Sequence, residues 1–209
     1  MARYTGPDCR ICRRFGEKLM LKGERCSSPK CALEKRNNPP GEHTEAQRGR
    51  ISERGLQLRE KQKVRFSYGV MERQFRKFFD QAKKSPTNTG ETLLILLERR
   101  LDNVIYRLGF ADSRAQARQI VRHGHIIVNG RRTNVPSCLV KPGDIIKWRE
   151  ASKKTEYYKR VVEEIEGKNI PSWLGFDRET MTGKVLNLPT KDDIGTEFNA
   201  KAIVEYYSR

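Results

Sequence analysis

Four cysteines near the start of the chain carry the clearest chemistry. Cys9-Arg-Ile-Cys12 is followed, after thirteen residues, by Cys26-Ser-Ser-Pro-Lys-Cys31. Two close pairs joined by a short loop have the spacing of a tetrahedral site of four thiolates. Zinc suits such a site, because its filled d shell imposes no geometry and it takes no part in redox chemistry. The expectation is one structural Zn2+ on Cys9, Cys12, Cys26 and Cys31. An iron–sulfur cluster on the same thiols is the main competing chemistry; a redox Cys-x-x-Cys explains one pair only, and a disulfide requires an oxidising compartment. The surrounding residues include Gly6, Pro7, Gly16, Gly23, Pro29 and Pro39 and can bury little core, so metal would supply much of the local folding free energy. Arg10, Arg13, Arg14, Lys18, Lys22, Arg25 and Lys30 interleave with the cysteines and would display positive charge. Cys138 stands alone and reads as a small buried apolar residue; His43 reads as a loop residue facing RNA or solvent rather than a spare ligand.

The second constellation is "SRAQARQIVRHGHIIVNGRR", residues 113–132. Ser113 with Gln116 three residues on forms a capping box, Ala117, Ile120 and Val121 mark a buried side, and Gly124 ends the helix. Arg114, Arg118 and Arg122 advance about 40° per step at helical pitch, which predicts one cationic edge. Asn129-Gly130 is a strong hairpin signal, with His123 and His125 before it and Arg131 and Arg132 beyond it. Residues 99–132 contain eight arginines and no lysine. A solvated face has no reason to prefer one cation, whereas a guanidinium fork matches phosphate oxygens and stacks on bases. Nucleic acid is therefore the expected partner. RNA is favoured over DNA, since no helix resembles an isolated major-groove reader.

These groups must be positioned by the rest of a 209-residue chain with a formal net charge of +17. Residues 1–65 carry a net +9 and residues 99–132 a net +6, whereas residues 161–209 carry −3. Such segregation suggests two surfaces facing polyanion and a third facing protein or water. After the linker "NNPPGEHTEAQRGR", residues 51–66 read as a basic helix with Arg54, Arg59, Lys61, Lys63 and Arg65. Met71, Phe75, Phe78 and Phe79 then form one apolar stripe, and "KSPTNTG" breaks that helix. Leu93, Leu94, Leu97, Leu101, Val104, Ile105 and Leu108 predict a single apolar helix closed by Gly109. Asn129-Gly130 and Pro142-Gly143 punctuate three strands. The longest apolar run, Leu93 to Leu97, is too short for a bilayer, and "MARYTGPDCR" lacks the apolar core of a signal peptide. A cytoplasmic location with reduced thiols and no membrane partner is expected.

"LERRLDNVIYRLGFADSRAQARQIVRHGHIIVNGRR" closely resembles the RNA-binding module named after ribosomal protein S-four, which also occurs in some synthetases, pseudouridine synthases and heat-shock proteins. "MARYTGPDCRICRR", "KGERCSSPKCALEKRNNPPG", "LREKQKVRFSYGVMERQFRKFF" and the final "VEYYSR" extend the resemblance to the bacterial small-subunit ribosomal protein S-four family over essentially the whole chain. It implies an α+β fold: an N-terminal zinc knuckle (1–45), a helical domain (46–97), the RNA-binding module with a small antiparallel sheet and helices (98–165), and a C-terminal segment (166–209) whose last helix packs back on the helical domain. It implies direct binding to small-subunit rRNA, nucleation of that subunit's body, and an influence on decoding accuracy beside proteins S-five and S-twelve. It also implies basic residues facing messenger RNA, from Arg48 through Arg50 to Arg54. The expected RNA-binding set is Arg48, Arg50, Arg54, Arg59, Lys61, Lys63, Arg100, Arg107, Arg114, Arg118, Arg122, His123, His125, Asn129, Arg131 and Arg132. Many family members lack the cysteines; this chain has all four, so zinc carries over.

Two positions depart from the family pattern: Met71 stands where a capping serine is usual, and Thr44 where a glycine follows the loop histidine. Ile203, Val204, Tyr206 and Tyr207 suggest that the end of the chain packs on the helical domain or on a neighbouring protein. Two rivals remain. Arg100-Leu101-Asp102 mimics the triplet around a pseudouridine synthase's catalytic aspartate, but no segment is long enough for a catalytic fold, so no enzyme activity and no small-molecule substrate are expected; Asp102 reads as a helix N-terminal acid. A free-standing regulator that binds its own messenger or a zinc-dependent DNA site is also compatible with the composition.

Overall fold

The computed structural model describes residues 3–41, 51–194 and 198–208. His43, Thr44, Arg48 and Arg50 lie outside the described residues. The chain divides into two compact units, Met1–Leu93 with Thr196–Arg209, and Leu94–Gly195. The first unit joins the cysteine-bearing segment, the helical stretch and the last helix. The second runs past residue 165, where the module was expected to stop.

The first unit begins with α1 (Asp8–Phe15), α2 (Glu24–Ser27) and α3 (Ala32–Lys35). Ile11, Cys12, Phe15 and Leu19 form a small buried cluster, with Leu21 and Phe66 against it. Helix α4 (Glu53–Ser67) starts at Ser52, whose hydroxyl accepts the Gly55 N–H. It ends at Gly69, whose positive φ lets the Val70 N–H reach back to the Arg65 carbonyl. Helix α5 (Glu72–Lys83) buries Phe75, Phe78, Phe79 and Ala82. The last helix of the chain, α11 (Ala200–Tyr207), lies against α4 and buries Ile203. Tyr207 packs on Phe79 with ring centres 4.6 Å apart, and its hydroxyl donates to Glu72 at 2.7 Å. Burial raises the Glu72 carboxyl, but hydrogen bonds from Lys61 and Tyr207 outweigh it and hold the group below the usual carboxylate range.

Met71 is the N-cap of α5, with extended backbone and no side-chain bond to the first turn. It is 37% exposed, so little packing depends on it. Met71→Ser should therefore stabilise the first unit by about 1 kcal/mol, seen as a higher urea midpoint with unchanged slope.

The apolar repeat expected to be one helix is two. Helix α6 (Thr89–Glu98) stops, and α7 (Leu101–Arg107) restarts after Arg99 and Arg100. The cause is a loop that crosses here. Arg100 forms an isolated β-bridge with Leu139, and the Leu101 and Asp102 N–H groups donate to the Cys138 and Pro136 carbonyls. First-turn donors that an unbroken helix would satisfy internally are thus met from outside. Gly109, at φ +79°, closes α7 where expected, with the Phe110 N–H bonded to the Ile105 carbonyl.

Helix α8 (Arg114–Arg122) leads into β1 (Ile126–Val128), β2 (Arg131–Arg132) and β3 (Ile145–Trp148); α9 (Glu156–Glu164), β4 (Leu174–Asp177), β5 (Thr182–Val185) and α10 (Lys191–Ile194) follow. The sheet is antiparallel with five strands in the order β2-β1-β3-β5-β4. Residues 174–185, expected in a separate C-terminal segment, thus complete the module's sheet: β5 pairs with β3 through Ile146 opposite Gly183. Gly183 is required there, since a Cβ would lie 2.5 Å from Leu108. Leu101, Ile105, Leu108, Phe110, Ile126, Ile146, Trp148 and Trp173 form one buried core. The α+β class with a small antiparallel sheet stands.

Candidate nucleic-acid interface

The start of α8 is fixed by Ser113, whose hydroxyl accepts the Gln116 N–H at 3.3 Å. The reciprocal bond of the expected capping box is displaced by one residue, because Gln116 Oε1 accepts from the Asp112 N–H instead. The end is fixed by Gly124 at φ +71°, with the His125 N–H on the Ile120 carbonyl. A Cβ at Gly124 would lie 2.3 Å from the Arg132 Nε, so glycine lets that guanidinium cross the helix end. Asn129 and Gly130 both have positive φ, as the two-residue turn requires.

The three arginines of α8 do not make one exposed edge. Arg122 is exposed, Arg114 is half-buried, and Arg118 is buried. Arg118 Nη1 donates to Asp102 Oδ2 at 3.1 Å, and Arg114 Nε donates to Asn103 Oδ1 at 2.7 Å with its guanidinium over the Tyr106 ring. A turn of about 40° per step is enough to carry the row from core to solvent. Burial foremost pulls the Arg118 guanidinium below its ordinary value; Asp102 opposes this, and Arg100 and Arg122 add to it.

Arg100 is fully buried and grips Asp102 with two hydrogen bonds, at 3.0 and 2.6 Å. Glu98, also buried, accepts from Asn103 at 2.6 Å and from Arg107 at 2.7 and 3.1 Å. Asp102 therefore does more than complement a helix dipole: it is the shared anion of two buried cations. Arg100, Arg107, Arg114 and Arg118 belong to this internal network rather than to an open cationic surface.

In the first unit, Lys61 and Lys63 depart from the sequence reading in the same way. Lys61 is 3% exposed, bonded to Glu72 at 2.8 Å, with its ammonium 5.2 Å from the centre of the Tyr206 ring. Lys63 is buried against Glu17. The stem of a helix that is basic all round must have one side inward, and the heads are then paired. Arg59 donates to the Phe15 carbonyl, and Arg54 is exposed.

Of the expected set among the described residues, what is exposed apart from Arg54 gathers at the hairpin. Arg122, His123, Arg131 and Arg132 are exposed, and Arg132 Nη2 reaches the His123 carbonyl at 3.4 Å. The His123 and His125 rings lie 5.9 Å apart. His125 is half-buried with its Nδ1 2.9 Å from the Ser152 hydroxyl. Burial foremost, then the charges of His123, Arg132 and Arg149, hold its imidazole below the usual value. Asn129 is exposed, yet its side chain ties the hairpin to β3: it donates to Asp144 and accepts the Ile145 N–H, both at 2.8 Å.

Register adds residues absent from the sequence reading. Arg132 and Lys147 both lie opposite Ile127, and Lys184 lies opposite Ile145, so Arg132, Lys147 and Lys184 share the solvent face of the sheet. Arg149, also exposed, follows β3 directly. The alternation in "DIIKW" held the signal for Lys147; Lys184 required knowledge that β5 pairs with β3.

At the N-terminus, Cys12, Cys26 and Cys31 are buried and Cys9 is half-buried. The Cys26 sulfur accepts the Lys22 N–H at 3.3 Å, and the Cys12 sulfur accepts from the Leu19 backbone. Burial, and then the charges of Cys26, Cys9 and Cys31, raises the Cys12 thiol. The other three thiols thus lie within electrostatic reach of Cys12. Among the described residues, however, no three Cys, His, Asp or Glu side chains form a group that could hold a metal ion as they stand.

Comparison with known proteins agrees with this architecture. Residues 3–98 match the model of the ribosomal protein S4/S9 N-terminal domain and residues 99–146 that of the S4 domain. Small ribosomal subunit protein uS4 of Dehalococcoides mccartyi is 57% identical over 209 residues, covering the whole of both chains. Those of Halothermothrix orenii and Thermus thermophilus are 54% and 53% identical over the same full span. On full-length identity above one half and two contiguous family matches, the chain belongs to the small ribosomal subunit protein uS4 family.

Proposed function

We propose that this chain is a structural component of the small ribosomal subunit that binds the subunit's rRNA directly. The observation that supports this best is the solvent-facing group Arg122, Arg131, Arg132, Lys147 and Arg149, left over after Arg100, Arg107, Arg114 and Arg118 are committed inside the fold. Its position on a helix end and a sheet face suits sugar-phosphate contact and shape recognition rather than a deep pocket. The protein is a scaffold, not an enzyme: the Asp102 that mimics a catalytic aspartate is sealed between two arginines. As a ribosomal component it works in the cytoplasm, and no helix among the described residues is long and apolar enough to cross a membrane.

In the same reading the chain nucleates the body of the subunit, touches proteins S-five and S-twelve, and presents Arg54 towards messenger RNA together with Arg48 and Arg50. Zinc belongs to the proposal too. The donor set is four thiols, three of them buried, and two of the sulfurs already accept backbone N–H groups of the kind that stabilise thiolates. Zn2+ would be held by Cys9, Cys12, Cys26 and Cys31 and would crosslink α1 to α2 and α3.

Sedimentation tests the main reading. In a lysate at moderate salt, nearly all of the chain should travel with small subunits; a chain found chiefly in the free pool would point to the stand-alone regulator instead. Metal analysis of the purified protein should return one zinc and no iron per chain.

A further inference from the structure

Beside the cysteines lies a cleft of about 570 Å³ lined by Arg13, Arg25, Lys30, Ala32, Lys35 and Arg36. Five of its six lining residues are cations, and none is an acid. No ion pair among the described residues neutralises any of the five; Glu34 and Glu17 are paired with Lys18 and Lys63. Arg13 is held in place by its Nε bond to the Asn38 carbonyl at 2.8 Å. Five cations facing one cavity repel each other, and such an arrangement is relieved by an anion with several charges.

The placement of the walls relative to the cysteines is systematic. Arg13 follows Cys12 in α1, Arg25 precedes Cys26 in α2, and Lys30 precedes Cys31. Cys31 is the N-cap residue of α3, which carries Ala32 and Lys35 and ends at Arg36. Every wall therefore hangs from a cysteine or from the helix a cysteine starts.

Resting on the rRNA-binding reading above, we propose that this cleft is a separate phosphate seat for consecutive phosphates of a sharply bent RNA strand, and that the four cysteines hold it in shape. Binding through it depends on the state of the thiols, whereas binding through the hairpin surface does not. The N-terminal segment then contributes to RNA affinity conditionally, and loss of the hold that the cysteines give it reduces the grip without dismantling residues 94–195.

The test uses the full chain and an rRNA transcript, with affinity measured across a range of salt. Arg25→Gln, Lys30→Gln and Arg36→Gln together should lower the slope of log affinity against log salt by about 2, at about 0.7–0.9 for each lost phosphate contact. Cys26→Ser with Cys31→Ser should produce a similar fall although every cation remains. Trp148 and Trp173, both buried in the second unit, report through fluorescence that this unit stays folded. If the wild type binds the transcript but the charge variant keeps its slope, the seat is refuted while the rRNA reading survives. If only the cysteine variant keeps its slope, the thiols do not shape the seat and that half is refuted. Inorganic pyrophosphate distinguishes a free anion: chemical-shift changes of the cleft arginines with pyrophosphate, but no change in the variant's RNA slope, would overturn the assignment to RNA. Failure of the wild type to bind at all would instead sink the rRNA reading itself.

Discussion

Asp102→Ala should destabilise the second unit by about 3–5 kcal/mol, enough to leave a substantial part of it unfolded in a domain of ordinary stability. Asp102 is 3% exposed and is bonded to Arg100 at 3.0 and 2.6 Å and to Arg118 at 3.1 Å. Removing it leaves two buried guanidinium groups beside each other with their shared anion gone. Exposed ion pairs contribute a fraction of this, because water takes over when one partner leaves. Urea unfolding followed by Trp148 and Trp173 fluorescence measures the loss. Asp102→Asn, which keeps the shape and part of the hydrogen bonding, should lose less than the alanine variant. A loss below about 1 kcal/mol for Asp102→Ala would show that the network relaxes into solvent and is not a structural centre.

The opposite behaviour is expected at the hairpin. Arg122→Gln, Arg131→Gln and Arg132→Gln together should leave the unfolding midpoint nearly unchanged, since all three side chains are exposed. RNA binding should suffer heavily. Three lost phosphate contacts lower the salt slope by about 2–3, which at about 0.1 M salt corresponds to a loss of about 100- to 1,000-fold in affinity. Arg118→Gln should show the reverse pattern, a large loss of stability with the slope of the folded fraction unaltered. If Arg118→Gln flattened the salt dependence as much as a hairpin substitution, the division between inward and outward arginines would be wrong. A single cationic edge along α8 predicts equal effects at positions 114, 118 and 122, so this comparison decides between the two arrangements.

The sequence made legible what depends on local spacing. Period and caps located α4, α5 and α8; Gly109, Gly124 and Asn129-Gly130 marked the ends of α7 and α8 and the hairpin because positive φ has few tenants. What escaped depends on distant partners. The break at Arg99 and Arg100 is imposed by carbonyls of Pro136 and Cys138, which no helical pattern reveals. The burial of Arg118 follows from Asp102, sixteen residues earlier, and that of Lys61 from Glu72 and the C-terminal tyrosines. Charged residues read as outward because burial of a charge is costly, yet the cost is offset wherever a partner with matched geometry is supplied. The same long-range logic placed β4 and β5 in the module's sheet, where a four-residue strand holding Gly183 gives little local signal.

The borders of that sheet have a consequence for the protein before it meets its partner. One outer strand, β2, is two residues long and consists of Arg131 and Arg132; the other, β4, contains Gly175 and ends at Asp177. Neither offers the long, flat, uncharged row of amides on which a second polypeptide could build a fibre. Newly synthesised molecules are therefore guarded against self-association by the guanidinium groups of Arg131 and Arg132, the same groups to which the proposed RNA interface assigns phosphate.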